Sequence, residues 1–275
     1  QERYFQYWPV RFFWPAISVL VFFWFAKCRT LLRAAAVSLI GVIGLLWNLD
    51  SGLFITVVFA AYLVARLITV VIGRHLSPPG SNDPWTVQKY VIAIAIHTGI
   101  TAAVIAGFLV AMSWKAGESL NLFWLLEYQK IFYKLGLMML PLPRRSDPWM
   151  TMLGVYLIGL LSSFANWRRR APRSRDDIEF FLSMLGLGLF VYYEGRSHVL
   201  NLITVCWPAV MLCGIQADQI LRAVRGCQLG RCQTILPIAA ISFLLVGCGA
   251  FLYNVPRLVR DLSLIHISEP TRQAE

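Results

Sequence analysis

Long apolar runs separated by short polar segments dominate the chain and define its predicted elements. A helix needs about 20 apolar residues to cross the roughly 30 Å core of a bilayer, and shorter runs are tolerated inside a bundle. Eight runs qualify, at residues 10–26, 34–47, 53–72, 90–112, 149–165, 180–193, 199–221 and 235–253. The pattern predicts an all-α fold, a polytopic transmembrane bundle of about eight spans.

A different pattern occupies residues 121–140. Apolar and aromatic residues recur there at helical spacing with polar residues between them, and the run stops at Pro141 and Pro143. Such a segment is typical of an amphipathic helix lying on a membrane surface. We interpret its aromatic residues as headgroup anchors in preference to substrate contacts.

Charge adds the orientation of the predicted spans. The net charge is +11, while 58% of residues are hydrophobic and the mean hydropathy is +0.63. Lys and Arg are concentrated after the first, third, fifth and seventh runs, so the positive-inside rule places those loops in the cytoplasm. Segments 47–52, 113–148 and 193–198 then face outward. We therefore interpret the positive charge as topology and expect a lipid bilayer, with no nucleic acid, as the partner.

Several common kinds of site are not indicated. The six cysteines form no CxxC pair and have no histidine at ligand spacing, which argues against a disulfide framework or a zinc site. No metal site is predicted, and no phosphate-binding loop or hydrolase motif is present. We interpret His97 as a buried, hydrogen-bonded histidine in preference to a proton relay, and expect Arg66 to extend to the inner surface.

The segment WNLDSG, residues 47–52, is the first candidate for chemistry. A carboxylate at the end of a short apolar helix should face the bundle interior, a partner or water. Asp50 or Ser51 could cap the third span, since both residue types accept hydrogen bonds from free backbone N–H groups. Asp50 could also project into an outward cavity and bind a hydroxyl, a cation or a sugar. The two interpretations are compatible.

A denser polar cluster lies between the sixth and seventh runs. Arginine and histidine at the mouth of a bundle can bind a phosphate or pyrophosphate, and tyrosine can stack on a sugar. The alternative is an aromatic-belt turn in which Glu194 pairs with Arg196 and His198 caps a helix. The cluster comprises Tyr192, Tyr193, Glu194, Arg196, Ser197, His198 and Asn201. Arg144 and Arg145, in the long outer segment, are predicted to reach the same face.

The combination of WNLDSG, EYQKIFYKLGLMMLPLP (residues 127–143) and YYEGRSHVLNL (residues 192–202) resembles large bacterial multi-pass glycosyltransferases of the GT-C superfamily. The resemblance covers residues 47–208. It implies transfer of a sugar from a polyprenyl-phosphate donor to a glycan, lipid or protein acceptor, on the outer face of a bacterial inner (plasma) membrane.

The resemblance also implies roles for particular residues. Arg144, Arg145 and Arg196 become candidates for binding the lipid phosphate, and a divalent cation is a conceivable cofactor. The remaining substrate-binding candidates are Asp50, Tyr193, Glu194, His198 and Asn201. The family's catalytic carboxylate lies in the first outer loop, which we expect upstream of residue 1. The base is therefore unassigned, and we expect this chain alone to be inactive.

Two further expectations concern chain ends and alternative functions. Residues 262–275, LSLIHISEPTRQAE, resemble the translation of a transposase-based sequencing adapter, so we expect a membrane domain at residues 1–261 followed by an artefactual tail. A transporter or lipid flippase also places polar residues at a bundle mouth. It remains the alternative function, followed by a structural membrane subunit.

Overall fold

A computed structural model describes the chain over residues 8–76, 85–119, 142–143, 148–169, 173–195, 197 and 199–225, with isolated positions at 127, 130, 238, 241–242, 245 and 249. Every regular element within these ranges is a helix. In chain order the helices are α1 (Trp8–Lys27), α2 (Leu31–Trp47), α3 (Leu49–Leu76), α4 (Val87–Ala116), α5 (Pro148–Arg169), α6 (Ser174–Leu189), α7 (Val191–Gly195), α8 (Val199–Val205) and α9 (Trp207–Arg225).

Four stretches of the described chain are long and apolar enough to cross a membrane: Leu49–Ile72, Val87–Ala116, Pro148–Arg168 and Ser174–Gly195. Many large apolar side chains on these helices are exposed, which suits a lipid environment. The all-helical class of an integral membrane protein agrees with the sequence pattern. The eighth predicted span, the surface helix and the tail at 262–275 lie largely or wholly outside the described residues, so these and the number of eight spans stay predictions.

Helices α2 and α3 are separated by a single residue. Asn48 is in an extended conformation, and its Oδ1 accepts hydrogen bonds from the backbone N and the hydroxyl of Ser51, each at 3.1 Å. Asn48 therefore caps α3, whereas the sequence suggested Asp50 or Ser51 as the cap. Asp50 lies in the first turn, where a carboxylate interacts favourably with the helix dipole.

The seventh predicted span, residues 199–221, is not continuous. It is divided at Cys206 into α8 and α9, with Pro208 as the second residue of α9. Proline has no backbone N–H and is tolerated in the first turn of a helix, where no intrahelical acceptor is needed. The proline that the hydropathy pattern overlooked therefore coincides with the start of a new helix.

Aromatic side chains join α1, α3 and α6 in the core. Phe22 stacks on Phe181 with ring centroids 4.1 Å apart, and the edge of its ring meets Tyr62 at 5.0 Å. The stretch Ser174–Gly195, which contains α6 and α7, is the most enclosed of the four candidate spans, because 61% of its most apolar part is buried, compared with 11% for α4. The packing places α6 among α1, α3, α5 and α9, so polar residues on α6 are enclosed on several sides.

Candidate functional site

Polar residues collect at the two opposite ends of this bundle. One end carries residues of WNLDSG and YYEG, and we call it the motif end, defined by Asn48 and Tyr192. The other carries Arg29, Tyr90, Asp177 and Ile215, and we call it the basic end. The sequence predicts that alternate loops lie at the same end of the bundle. The structure agrees for three basic segments, because Arg29, Tyr90 at the start of α4 and Asp177 at the start of α6 meet at the basic end.

At the motif end, one hydrogen bond joins the two polar segments that the sequence singled out. The hydroxyl of Tyr192 donates to Oδ1 of Asn48 at 2.9 Å, across 144 residues of chain. Asn48 thus accepts from Tyr192 and from Ser51 at once, which fixes the orientation of its amide. The sequence predicted that these segments share a face, but the direct contact came only from the structure.

The ring of Tyr192 makes two further contacts. The edge of the ring meets Phe12 with centroids 5.6 Å apart, and the guanidinium carbon of Arg11 lies 5.4 Å from the ring centre. This distance is within the range of a cation–π contact. Arg11 is exposed, so its guanidinium remains open to an anionic group outside the bundle. Sequence reasoning missed Arg11 because it lies inside an apolar run with no polar neighbour in the next turn.

The other residues predicted at the motif end differ in their burial. Asp50 and Asn201 are half-buried, and Glu194 is exposed at the end of α7. Tyr193 is only 2% exposed and packs beside Phe190, with ring centroids 5.6 Å apart, so its ring is a packing group in this structure. Four predicted residues lie outside the described part of the chain, namely the lipid-phosphate candidates and one further substrate-binding candidate: Arg144, Arg145, Arg196 and His198.

At the basic end, a carboxylate is enclosed by two arginines. The Asp177 side chain is 0% exposed, those of Arg29 and Arg66 are 3% and 1% exposed, and Nη2 of Arg29 donates to Oδ2 of Asp177. Nε of Arg66 lies 3.9 Å from Oδ1 of Asp177. The hydroxyl of Tyr90 accepts from Arg29 at 3.1 Å and from Arg66 at 3.4 Å. Four separate segments of chain are tied together by these groups.

Arg66 therefore does not extend to the inner surface as the sequence suggested. Its guanidinium carbon lies 4.8 Å from the ring centre of Trp167, and the side chain remains within the protein. A buried guanidinium next to a buried carboxylate avoids the penalty of an unpaired charge, which explains why snorkelling is not needed. The signal that could have revealed this was the run Asp176, Asp177 and Glu179 at the edge of an apolar span.

A second group of polar residues lies beside this ion-pair network. Glu179 is 0% exposed and Oε1 accepts from Nε of Arg175 at 3.3 Å and from Nε2 of Gln219. Nη2 of Arg175 also donates to the carbonyl of Ile215, which links α6 to α9. Asp176 accepts from Asn166 at 2.9 Å and from the backbone N of Arg173 at 3.1 Å, so it fastens α5 to the start of α6.

His97 confirms the simpler of its two interpretations. It is 5% exposed, its Nδ1 lies 3.0 Å from the hydroxyl of Ser38, and its ring meets the edge of Phe59 at 5.4 Å. Because the Ser38 hydroxyl donates its hydrogen to the carbonyl of Ala34, its oxygen can accept a hydrogen bond from the Nδ1–H group of the histidine ring. The arrangement is that of a histidine packed within the bundle.

Comparisons with known proteins provide no assignment. No family model, curated protein or solved structure matches the chain. Among the described residues, no group of three or more His, Cys, Asp or Glu side chains could hold a metal ion. The functional argument therefore depends on the chemistry of the two ends.

Proposed function

We propose that this chain is part of a membrane glycosyltransferase that takes a sugar from a polyprenyl-phosphate donor at the motif end of the bundle. The observation that carries the proposal is the hydrogen bond from Tyr192 to Asn48, because it joins two of the segments on which the resemblance to GT-C enzymes rests. Segments distant in sequence are expected to meet if they serve one site. We place this end on the outer face of a bacterial plasma membrane.

The chemistry requires a polar site within reach of a lipid phosphate. In an inverting transfer, a carboxylate removes the proton of the acceptor hydroxyl while cationic groups stabilise the departing phosphate. Arg11 presents an exposed guanidinium beside Tyr192, and Arg196 and His198 follow α7 directly in the sequence. We assign these cationic groups to the phosphate, together with Arg144 and Arg145 of the outer segment.

The carboxylates and amides of this end serve the sugar. Asp50 lies two residues from Asn48, and Glu194 lies two residues from Tyr192. Glu194 is exposed and Asp50 is half-buried, whereas Asp177 and Glu179 at the basic end are 0% exposed. We assign Asp50, Glu194 and Asn201 to binding of sugar or acceptor, which is a glycan, a lipid or a protein. No residue of this chain is assigned as the catalytic base.

Sugar transfer in proteoliposomes tests the proposal. The protein that contains this chain is reconstituted with a radiolabelled polyprenyl-phosphate sugar, and transfer by Asp50→Asn, Glu194→Gln and the double variant Arg196→Ala/His198→Ala is compared with the unmodified protein. We expect each to lower transfer at least tenfold, since each removes a charge that contacts substrate. Asp218→Asn, a carboxylate 49% exposed at the basic end, is the matched control and should transfer normally.

Two results would overturn the proposal. One is transfer at the unmodified rate by all three variants when their amounts in the membrane are equal. The other is the absence of transfer from any polyprenyl-phosphate donor by the unmodified protein.

A second function, transport or lipid flipping, is favoured by one observation. Arg66, Asp177 and Glu179 are buried on helices that qualify as membrane spans, and ionisable groups in such positions commonly mark a pathway. The same proteoliposomes distinguish the two functions. Movement of a solute or lipid that is lost in Glu179→Gln and retained in Asp50→Asn would favour transport.

A further inference from the structure

The interface of α5, α6 and α9 contains a polar cluster that glycosyl transfer does not use. On α5, a Cβ at Gly159 would meet the hydroxyl of Ser183 on α6 and the side chain of Leu212 on α9, so the three helices meet closely at this level. One turn nearer the basic end lie Ser162 of α5 and Glu179 of α6, both buried. Hydroxyl and carboxylate groups therefore face one another inside the bundle.

Glu179 has one satisfied oxygen and one that is not. Both Arg175 and Gln219 donate to Oε1, whereas Oε2 has no hydrogen-bond partner among the described residues. The side chain of Ser162 lies close enough to the carboxylate to interact with it as a hydrogen-bonding group, although it forms no hydrogen bond to Oε2. Burying a carboxylate oxygen without a partner is strongly unfavourable. We therefore expect Oε2 to interact with a positively charged or proton-donating group.

Gln216 provides an independent sign of a ligand at the same place. It is 1% exposed, and neither its amide oxygen nor its amide nitrogen has a hydrogen-bond partner in the described part of the chain. Residues three and four apart share a helix face, so Gln216 lies on the α9 face that carries Leu212 and Gln219. The side chain of Leu212 lies beside Gly159, and Gln219 donates to Glu179. This face of α9 is therefore turned towards the polar cluster.

The set of atoms selects the class of ligand. Oε2 of Glu179, Oε1 of Gln216 and the hydroxyl of Ser162 are all oxygens, the ligand type that hard cations prefer. A proton on Glu179 that Oε2 donates to Oε1 of Gln216 would pair the same oxygens, but it would give no response to alkali chlorides, so titration with these salts separates the two cases.

Among the described residues of the α5, α6 and α9 interface, only Glu179 offers an unpaired carboxylate oxygen, because both oxygens of Asp176 accept hydrogen bonds and those of Asp218 lie beside Arg175 and Arg222. A single carboxylate disfavours a divalent ion.

The surrounding charges are compatible with one further positive charge. Arg175 pairs with Oε1 of Glu179 and not with Oε2, the oxygen assigned to the ligand. Arg175 also pairs with Asp218, because its Nη1 lies 3.5 Å from Oδ2 of Asp218. Asp176 adds a second negative charge near the start of α6. We propose that Glu179, Gln216 and Ser162 bind one monovalent alkali cation between α5, α6 and α9. The site is independent of glycosyl transfer, and its test uses no sugar donor.

Thermal unfolding in detergent tests the site. The full chain is titrated with NaCl, KCl or LiCl against choline chloride at constant ionic strength, and the Tm is followed. A cation that binds only the folded state raises the Tm, so we expect a saturable increase of about 2–5 °C with at least one alkali chloride and none with choline. Gln216→Leu and Ser162→Ala should reduce the increase at least twofold.

Ser38→Ala is the matched control for Ser162→Ala, since Ser38 is also a buried serine but lies in α2, beside His97. Its increase with alkali chloride should equal that of the unmodified chain. Equal Tm values in alkali and choline chlorides would overturn the proposal, and so would an undiminished increase in Gln216→Leu. If a variant fails to fold, binding of ²²Na⁺ or ⁸⁶Rb⁺ to the unmodified chain by equilibrium dialysis decides, and absence of saturable binding of both overturns it.

Discussion

At the basic end, Asp177 is fully buried between Arg29 and Arg66, whereas at the motif end Asn48 and Tyr192 meet through one neutral hydrogen bond. Most polar groups of the basic end form ion pairs or hydrogen bonds with one another. Those of the motif end include half-buried Asp50 and exposed Glu194, which remain accessible.

The difference indicates how each end is used. Charges removed from water must be paired, and a paired network has a single favourable geometry that links the helices contributing to it. Neutral and partly exposed groups hold the chain less tightly and can exchange water for a substrate. This contrast supports the proposal of substrate chemistry at the motif end, and it predicts that the basic end contributes most to the cohesion of the bundle.

The largest expected effect is that of Asp177→Ala. This change removes the carboxylate that lies beside both Arg29 and Arg66, and it leaves two buried guanidinium groups with less compensation. Removing one partner of a buried ion pair destabilises a protein by about 3–5 kcal/mol. The free energy of unfolding in mixed detergent measures the change. An effect below 1 kcal/mol would show that the basic end does not hold the bundle together.

Next in size is Gly52→Ala at the motif end. A Cβ at Gly52 would collide with the backbone of Gly44 and Leu45, and backbone cannot move aside as a flexible side chain can. Overpacking of this kind destabilises by about 1–3 kcal/mol. The same unfolding measurement applies. Gly107→Ala is the control, since a Cβ there meets nothing within 4 Å, and it should leave stability unchanged or slightly raise it.

Tyr192→Phe is expected to have a smaller effect. It removes the hydroxyl that donates to Asn48 but keeps the ring contacts with Phe12 and Arg11, and Asn48 still accepts from Ser51. The loss of one partly buried hydrogen bond should lower stability by about 1 kcal/mol. A double-mutant cycle with Asn48→Ala isolates the contact from the capping role of Asn48. A coupling energy indistinguishable from zero would contradict the link between the two motifs.

The sequence predicted local features of the structure better than contacts between segments that are distant along the chain. Hydropathy and loop charge predicted helices and which loops share an end, because both signals are local or alternate regularly along the chain. Asn48 as the cap of α3 was missed, although an asparagine three residues before Ser51 is a recognisable capping position. Asp50 and Ser51 attracted attention because they are also good caps.

The ion-pair network could not be predicted in the same way. Arg29, Arg66 and Asp177 come from three distant segments with no shared periodicity, and each arginine alone is explained by topology or snorkelling. The run Asp176, Asp177 and Glu179 could have indicated a buried carboxylate, but not which arginines it meets. Only packing of α3 against α6 shows that Arg66 has a carboxylate to meet. The Tyr192–Asn48 contact is equally long in range, but there the sequence at least predicted a common face.

The smallest expected effect is that of Arg222→Ala, and it tests whether burial or distance controls the comparison. Nε of Arg222 lies 3.0 Å from Oδ1 of Asp218, closer than the 3.9 Å between Arg66 and Asp177, but the two side chains are 76% and 49% exposed. Water screens such a pair, and Asp218 keeps its contact with Arg175, so we expect a loss of no more than about 0.5 kcal/mol. High salt should remove even that difference, because the charges are accessible to ions. If Arg222→Ala instead destabilised the chain as much as Asp177→Ala, proximity would outweigh burial, and the contrast between the occupied charges of the basic end and the accessible ones of the motif end would lose its physical basis.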